Sequence, residues 1–262
     1  MCDVAVALGR SGAKRSARLP DSEPAPAYFV EAYGDRLETV EEVLFDLSTF
    51  NFEAVLALEP DRLVFQESFE PFVTPNAELL GGPDRLLFVD HLDWRAAFAQ
   101  LAEEGGVEPD EVLEPYVAEY AARIDALAAS LDYDPAVVVA SSFSFDGERA
   151  GASDRTSPLA LTLGDLGFPL LDAAFPVIDG PLSEGSLDVS TELILDLDAD
   201  LVMIRTGRAG LDEVLADPVW SQAEAVQRGN VFETFQYSAQ GGWREQVQLL
   251  DDLATILPTY RP

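Results

Sequence analysis

The chain has 262 residues, 48% apolar and 10% aromatic, which suffices to bury a core in one large domain or in two lobes of about 110–130 residues each and excludes a disordered composition. Forty-eight acids against 16 bases give a net charge of −32, leaving few cations to replace phosphate counterions and so excluding a nucleic-acid partner. One cysteine, Cys2, and one histidine, His91, exclude an internal disulfide and a cysteine-cluster or multi-histidine metal centre, and no run of 18 apolar residues is present to span a membrane.

Two readings of the charge compete: an acidic partner-binding surface, and a salt-adapted surface kept hydrated by its carboxylates. The acids are spread along the whole chain without a run of five or six, and 15 of the 16 bases are arginine, with Lys14 the exception. The spread favours salt adaptation, because at molar salt the Debye length falls to about 3 Å and the self-repulsion is mostly screened.

In chain order, Asp3 to Gly9 reads as the end of a helix with its glycine stop, residues 10–27 as a polar loop, and Tyr28 to Tyr33 as a short strand or turn. Asn51 caps a short helix ending at Leu58 before Pro60. Arg62 to Phe65 and Arg85 to Asp90 are apolar strand patterns, and Trp94 to Glu104 is a helix closed by Gly105-Gly106. From Pro109 to Leu131, apolar residues recur at spacings of three and four, which predicts a helix of about 20 residues, some 30 Å long; Pro115 marks a kink or a later start. Beyond it the pattern predicts a strand over 136–140, a polar loop over 141–155, a helix over 158–166, a loop over 175–188 and a helix over 191–197 capped by Ser190. A strand over 201–204, short helices over 211–215 and 221–226, a strand over 231–235 and a closing helix over 244–257 complete the chain. Strands alternating with helices give an α/β class with mostly parallel sheets.

One internal repeat stands out. Residues 51–65 (Asn-Phe-Glu-Ala-Val-Leu-Ala-Leu-Glu-Pro-Asp-Arg-Leu-Val-Phe) align without a gap on residues 190–204 (Ser-Thr-Glu-Leu-Ile-Leu-Asp-Leu-Asp-Ala-Asp-Leu-Val-Met-Ile), so that Glu53, Leu56, Leu58 and Asp61 match Glu192, Leu195, Leu197 and Asp200. Each copy is a capped helix with inward leucines, an acid at the turn and a buried strand. Two copies flanking a long helix imply two similar α/β lobes joined by one backbone helix, with a ligand cleft between them: an N-terminal lobe over 1–108, the helix over 109–132 and a C-terminal lobe over 133–262.

The two repeat segments resemble the signatures of the helical-backbone substrate-binding proteins of ABC importers, which serve ferric siderophores, haem and cobalamin. Asp217-Pro-Val-Trp220, Ala225 to Val231 and Leu249 to Leu253 also fit that family's C-terminal lobe, and the resemblance spans about residues 40–257. It implies a binding protein without catalytic residues or a cofactor, whose partners are a membrane permease with its ATPase subunits and a small metal chelate, and which acts as a monomer. It places the permease-docking glutamates on Glu53 and Glu192. As helix-start acids these are also favoured by the macrodipole alone, by about 0.3–1 kcal/mol. The family's secretion signal, tether and first strand have no counterpart before Asp3. The expectation is therefore an N-terminally truncated form of a cell-surface lipoprotein, without a signal peptide in the chain as given and with Cys2 an ordinary residue rather than the lipidated one.

Ligands of open α/β sheets bind beyond the carboxyl ends of the strands. The candidate ligand-binding residues there are Gln66, Phe69, Phe143, Arg149, Arg205, Tyr237, Trp243 and Arg244, joined in the same loops by Phe145, Arg155 and Arg208. Arginine forks suit carboxylates and other anionic oxygens, and aromatic faces suit a flat or greasy chelate; each arginine is equally able to serve a local salt bridge. A ferric siderophore fits such a set, whereas haem would draw on His91 or Tyr237 as axial ligand. Nucleophile-elbow and Walker motifs are absent. A salt-adapted cytoplasmic α/β enzyme and a non-transport interaction module on the same fold are the alternatives.

Overall fold

The computed structural model describes residues 17–18, 43–44, 62–90, 92–145, 150–153, 157–170, 186–189, 199–206, 210–234 and 242–262. The chain divides into two units, Met1–Glu114 and Pro115–Pro262. Acids and bases divide evenly between them. Among the described residues no helix is long and apolar enough to cross a membrane.

In the first unit, β1 (Ala17–Arg18) pairs in parallel with β2 (Val43–Leu44), a two-residue pairing that begins inside the segment expected to be a loop. Strands β3 (Leu63–Gln66) and β4 (Leu86–Val89) also run parallel, in register from Leu63↔Leu86 to Gln66↔Val89. Their phenylalanines, Phe65 and Phe88, lie with ring centroids 5.9 Å apart. The connection between these strands is a chain of tight turns that the sequence pattern does not announce: 3-10 helices at Glu67–Phe69, Thr74–Leu80 and Pro83–Arg85 around α1 (Glu70–Val73). Pro71, Pro75 and Pro83 open the last three of these elements in order, where a missing N–H costs nothing. Helix α2 (Trp94–Glu104) lies where its periodicity puts it. The Asp93 carboxylate accepts the Arg95 N–H at 2.9 Å as its N-cap. Trp94, Ala97, Phe98 and Ala102 form the buried stripe.

Helix α3 (Pro109–Ser130) covers the longest periodic segment. Tyr120, Ile124 and Leu127 are its buried residues.

The second unit holds a five-stranded sheet in the order β7-β6-β5-β8-β9. Strands β5 (Ala140–Phe145), β8 (Leu201–Arg205) and β9 (Val231–Glu233) are parallel, whereas β6 (Ala150–Ser153) and β7 (Ser186–Val189) join antiparallel at one side. Two expectations are corrected here. The segment 136–140 is not the strand: Asp134 accepts the Ala136 N–H at 3.0 Å and tightens Pro135–Val137 into a 3-10 turn, so the strand begins at Ala140. Residues 141–155 are not one loop but contribute most of β5 and all of β6, because Ser-Phe-Ser-Phe alternates with the period of a strand. Likewise β7 occupies the end of the expected 175–188 loop.

The alternation of β5, β8 and β9 sorts their side chains onto two faces. Phe143, Val202, Ile204 and Val231 share one face, and they form a buried cluster with Val214, Trp220 and Ala225. Those three come from α5 (Leu211–Ala216), the 3-10 turn Trp220–Gln222 and α6 (Glu224–Arg228). Phe143 meets Trp220 edge-on at 5.5 Å and 84°, a contact that adds about 0.5–1.5 kcal/mol beyond the area buried. Beside the sheet, α4 (Pro158–Asp165) lies against β5, and α7 (Trp243–Ile256) lies against α4. Helix α6 ends with Gly229 at φ 75°, its N–H on Val226 and the Asn230 N–H on Ala225. Only glycine takes that turn without strain, and it aims the chain into β9.

Candidate functional site

Because β5, β8 and β9 are parallel, their carboxyl ends fall on one edge of the sheet. Ser144 pairs with Arg205 and Ile204 with Glu233, and the Thr234 N–H extends the ladder to the Ile204 carbonyl at 2.7 Å. The chain then leaves the sheet through Thr206 and Thr234, both buried. The Thr206 hydroxyl donates to the Glu233 carboxylate, which satisfies a buried polar group at the rim.

Arg205 is the last residue of β8, the strand between β5 and β9, and it points to the face opposite Ile204. It is half-buried, and burial lowers its guanidinium pKa from the ordinary arginine value. Its guanidinium makes no hydrogen bond or ion pair with any described residue. Other arginines do hold carboxylates: Arg62 pairs with Glu104, Arg123 with Glu119 at 3.1 Å and Asp251 at 2.9 Å, and Arg228 with Glu224 at 2.7 Å and Asp200 at 3.2 Å. An arginine stays charged at neutral pH. A partly desolvated guanidinium with no counter-ion among the described residues can accept an anion that offsets a cost already incurred.

The remaining expected site residues fall into three groups. Gln66 ends β3 and Phe69 closes the 3-10 turn after it; both are half-buried at the carboxyl end of that strand. Phe143 and Trp243 are buried, each 1% exposed. Phe143 sits on β5 facing Trp220, and Trp243 opens α7 with Tyr116 edge-on against it at 5.3 Å and 73°. Arg244 lies in the first turn of α7. Glu53, Arg149, Glu192 and Tyr237 lie outside the described residues, as do His91, Arg155 and Arg208. The sequence reading did not select Thr206, Glu233 and Thr234, although their place at the ends of two parallel strands was the available signal. Among the described residues, no group of three or more His, Cys, Asp or Glu side chains is placed to hold a metal ion.

Residues 31–237 match the family described as periplasmic binding protein. No curated protein matches the chain. Three solved structures share its fold. The triscatecholate siderophore binding protein FeuA from Bacillus subtilis, complexed with ferri-bacillibactin, superposes with a TM-score of 0.73 at 17% identity, over 97% of this chain and 88% of that one. Staphylococcus aureus SirA gives 0.71 at 17%, over 99% and 96%. The iron uptake ABC transporter substrate-binding protein PiaA from Streptococcus pneumoniae gives 0.70 at 16%, over 98% and 89%.

Proposed function

The chain belongs to the periplasmic binding protein family, and from that premise we propose that it is the substrate-binding component of an ABC importer, capturing an anionic ferric siderophore and delivering it to a membrane permease. The single observation that carries the ligand's charge is Arg205. In a chain with three acids for every base, a half-buried arginine at the carboxyl end of a parallel strand has no described carboxylate partner. The name of the structurally similar FeuA, bound to a ferric triscatecholate, supports a chelate of that chemistry, whose anionic oxygens suit an arginine fork. Gln66 and Phe69 in the first unit, and Arg149, Tyr237 and Arg244 in the second, complete the proposed ligand set. The protein binds its ligand without transforming it, and it works outside the membrane as a monomer. The lobe limits 1–108 and 133–262, with the helix between, belong to this reading, as do Glu53 and Glu192 as the acids that dock on the permease.

The test is a titration of intrinsic tryptophan fluorescence in concentrated salt with ferric siderophores, haem and cobalamin. Saturable quenching by a ferric siderophore is the expected result. Absence of saturable quenching by every chelate contradicts the proposal.

A further inference from the structure

We propose that Thr206 is a positioning residue of the ligand edge: its hydroxyl holds the Glu233 carboxylate on the Ile204 face of the sheet and so keeps the chain's own acid off Arg205. This deepens the importer reading, on which it rests for the role of Arg205 as receptor of an anionic ligand.

The register of the sheet brings an acid close to the arginine. Glu233 stands opposite Ile204, the residue before Arg205, and Arg205 and Glu233 are the last residues of β8 and β9. With neighbouring strands about 4.8 Å apart and a rise of about 3.3 Å per residue, their Cα atoms lie about 6 Å apart. Glu233 is exposed and Arg205 half-buried, and two side chains of that length can meet past the ends of their strands. An ion pair there would occupy the guanidinium fork that a ligand's anionic oxygens need.

The carboxylate is engaged on the other face. Alternation along β8 puts Ile204 and Thr206 on one face and Arg205 on the opposite one. Glu233, in register with Ile204, shares the Ile204 face. There the Thr206 hydroxyl donates to it. Thr206 is 3% exposed, so its hydroxyl is cut off from water and needs an acceptor, and a carboxylate is a strong one. The hydroxyl of the neighbouring Thr234 donates instead to the Ile204 carbonyl at 3.3 Å. A buried threonine thus restrains an exposed glutamate whose free arm would reach the arginine.

The experiment is modification of the full, ligand-free chain with phenylglyoxal, with the rate at each arginine followed by peptide mass spectrometry. Arg205 is expected to react in the parent protein. Thr206→Val keeps the shape of the buried side chain but removes the donor; the released Glu233 should then pair with Arg205 and slow its reaction about threefold, as expected for an ion pair near the surface. Thr206→Ser, which keeps the hydroxyl, and Thr206→Val with Glu233→Gln, which has no charge to release, should react at the parental rate. Arg228, held by Asp200 and Glu224, reports the integrity of the fold and should react alike in every variant. Thr206→Ala takes the place of Thr206→Val if the latter does not fold. The proposal is overturned by an Arg205 that does not react in the parent, by a parental Arg205 rate in Thr206→Val, or by a slowing that Glu233→Gln does not reverse. The readout needs no chelate, so a failure of the importer reading shows in the fluorescence titration and a failure of this proposal in the arginine rates.

Discussion

The two ends of the parallel strands in the second unit are built to opposite rules. At the amino end, described polar groups are paired. Asp200, just before β8, accepts the Val139 N–H at 3.0 Å and the Arg228 guanidinium at 3.2 Å. Asn230, just before β9 and wholly buried, clamps the backbone of Arg261: its amide donates to the Arg261 carbonyl at 2.7 Å and its oxygen accepts the Arg261 N–H at 3.0 Å. The Tyr133 hydroxyl donates to the Leu257 carbonyl at 3.1 Å, and its ring lies 4.8 Å from that of Tyr260. At the carboxyl end, Arg205 has no such partner among the described residues. With so many carboxylates in the chain, pairing an arginine is easily arranged. Arg228 is paired twice, whereas Arg205 has no carboxylate partner among the described residues.

That contrast can be broken or sharpened by substitution. The largest effect is expected from Trp220→Ala, which empties the fully buried site against Phe143; it should cost about 3–5 kcal/mol and lower the denaturant midpoint without touching the ligand edge directly. Asn230→Ala comes next. It leaves the Arg261 backbone groups without their clamp and should cost about 1–3 kcal/mol, read as a lower Tm, while the chelate affinity of the folded protein stays unchanged. If Asn230→Ala weakened binding as much as it weakened folding, the two ends would not be separate in role.

The smallest effect is confined to alkali. Burial, then the neighbouring Tyr260 and Asp132, push the Tyr133 hydroxyl up to about 12 from its ordinary value of 10.0. A phenol held protonated in the folded state contributes stability that is fully present below the unfolded value and is lost as pH rises through the folded one. Unfolding midpoints should therefore fall as the pH is raised from about 10 towards 12. Tyr133→Phe should be less stable at pH 8, because the bond to Leu257 is gone, yet lose less as the pH rises. Tyr260, also raised, retains part of the slope.

The helices were the most legible part of the sequence. The expected 94–104 and 109–131 segments match α2 and α3 to within a residue, because long apolar periodicity and glycine stops are local signals. The strands were less so. The valine run at 137–139 looks like a strand on propensity alone, but Pro135 with the Asp134 cap turns it, and the pairing partner that fixes β5 is 61 residues away at Leu201. The same shift sets the direction of Phe143. A phenylalanine near a strand end reads as ligand-facing or core-facing according to a register that only the folded sheet fixes, and with β5 starting at Ala140, Phe143 turns inward. Trp243 was placed one residue outside a helix that in fact begins with it. Arg205 was visible from the sequence as a loop arginine after a strand, but its half-burial at the end of β8 was not, since burial is a fact of three dimensions.

If Arg205, and not arginine as such, recognises the proposed ligand, its loss should be specific. The most direct measurement compares the affinity of Arg205→Gln and Arg228→Gln for a ferric triscatecholate that the parent protein binds. Losing a charged hydrogen-bond donor at the ligand should weaken binding by about tenfold or more in Arg205→Gln, with its Tm held. Removing an exposed ion pair should cost at most about 1 kcal/mol of stability in Arg228→Gln, with its affinity unchanged. Parental affinity in Arg205→Gln, or an equal loss in both variants, would contradict the account.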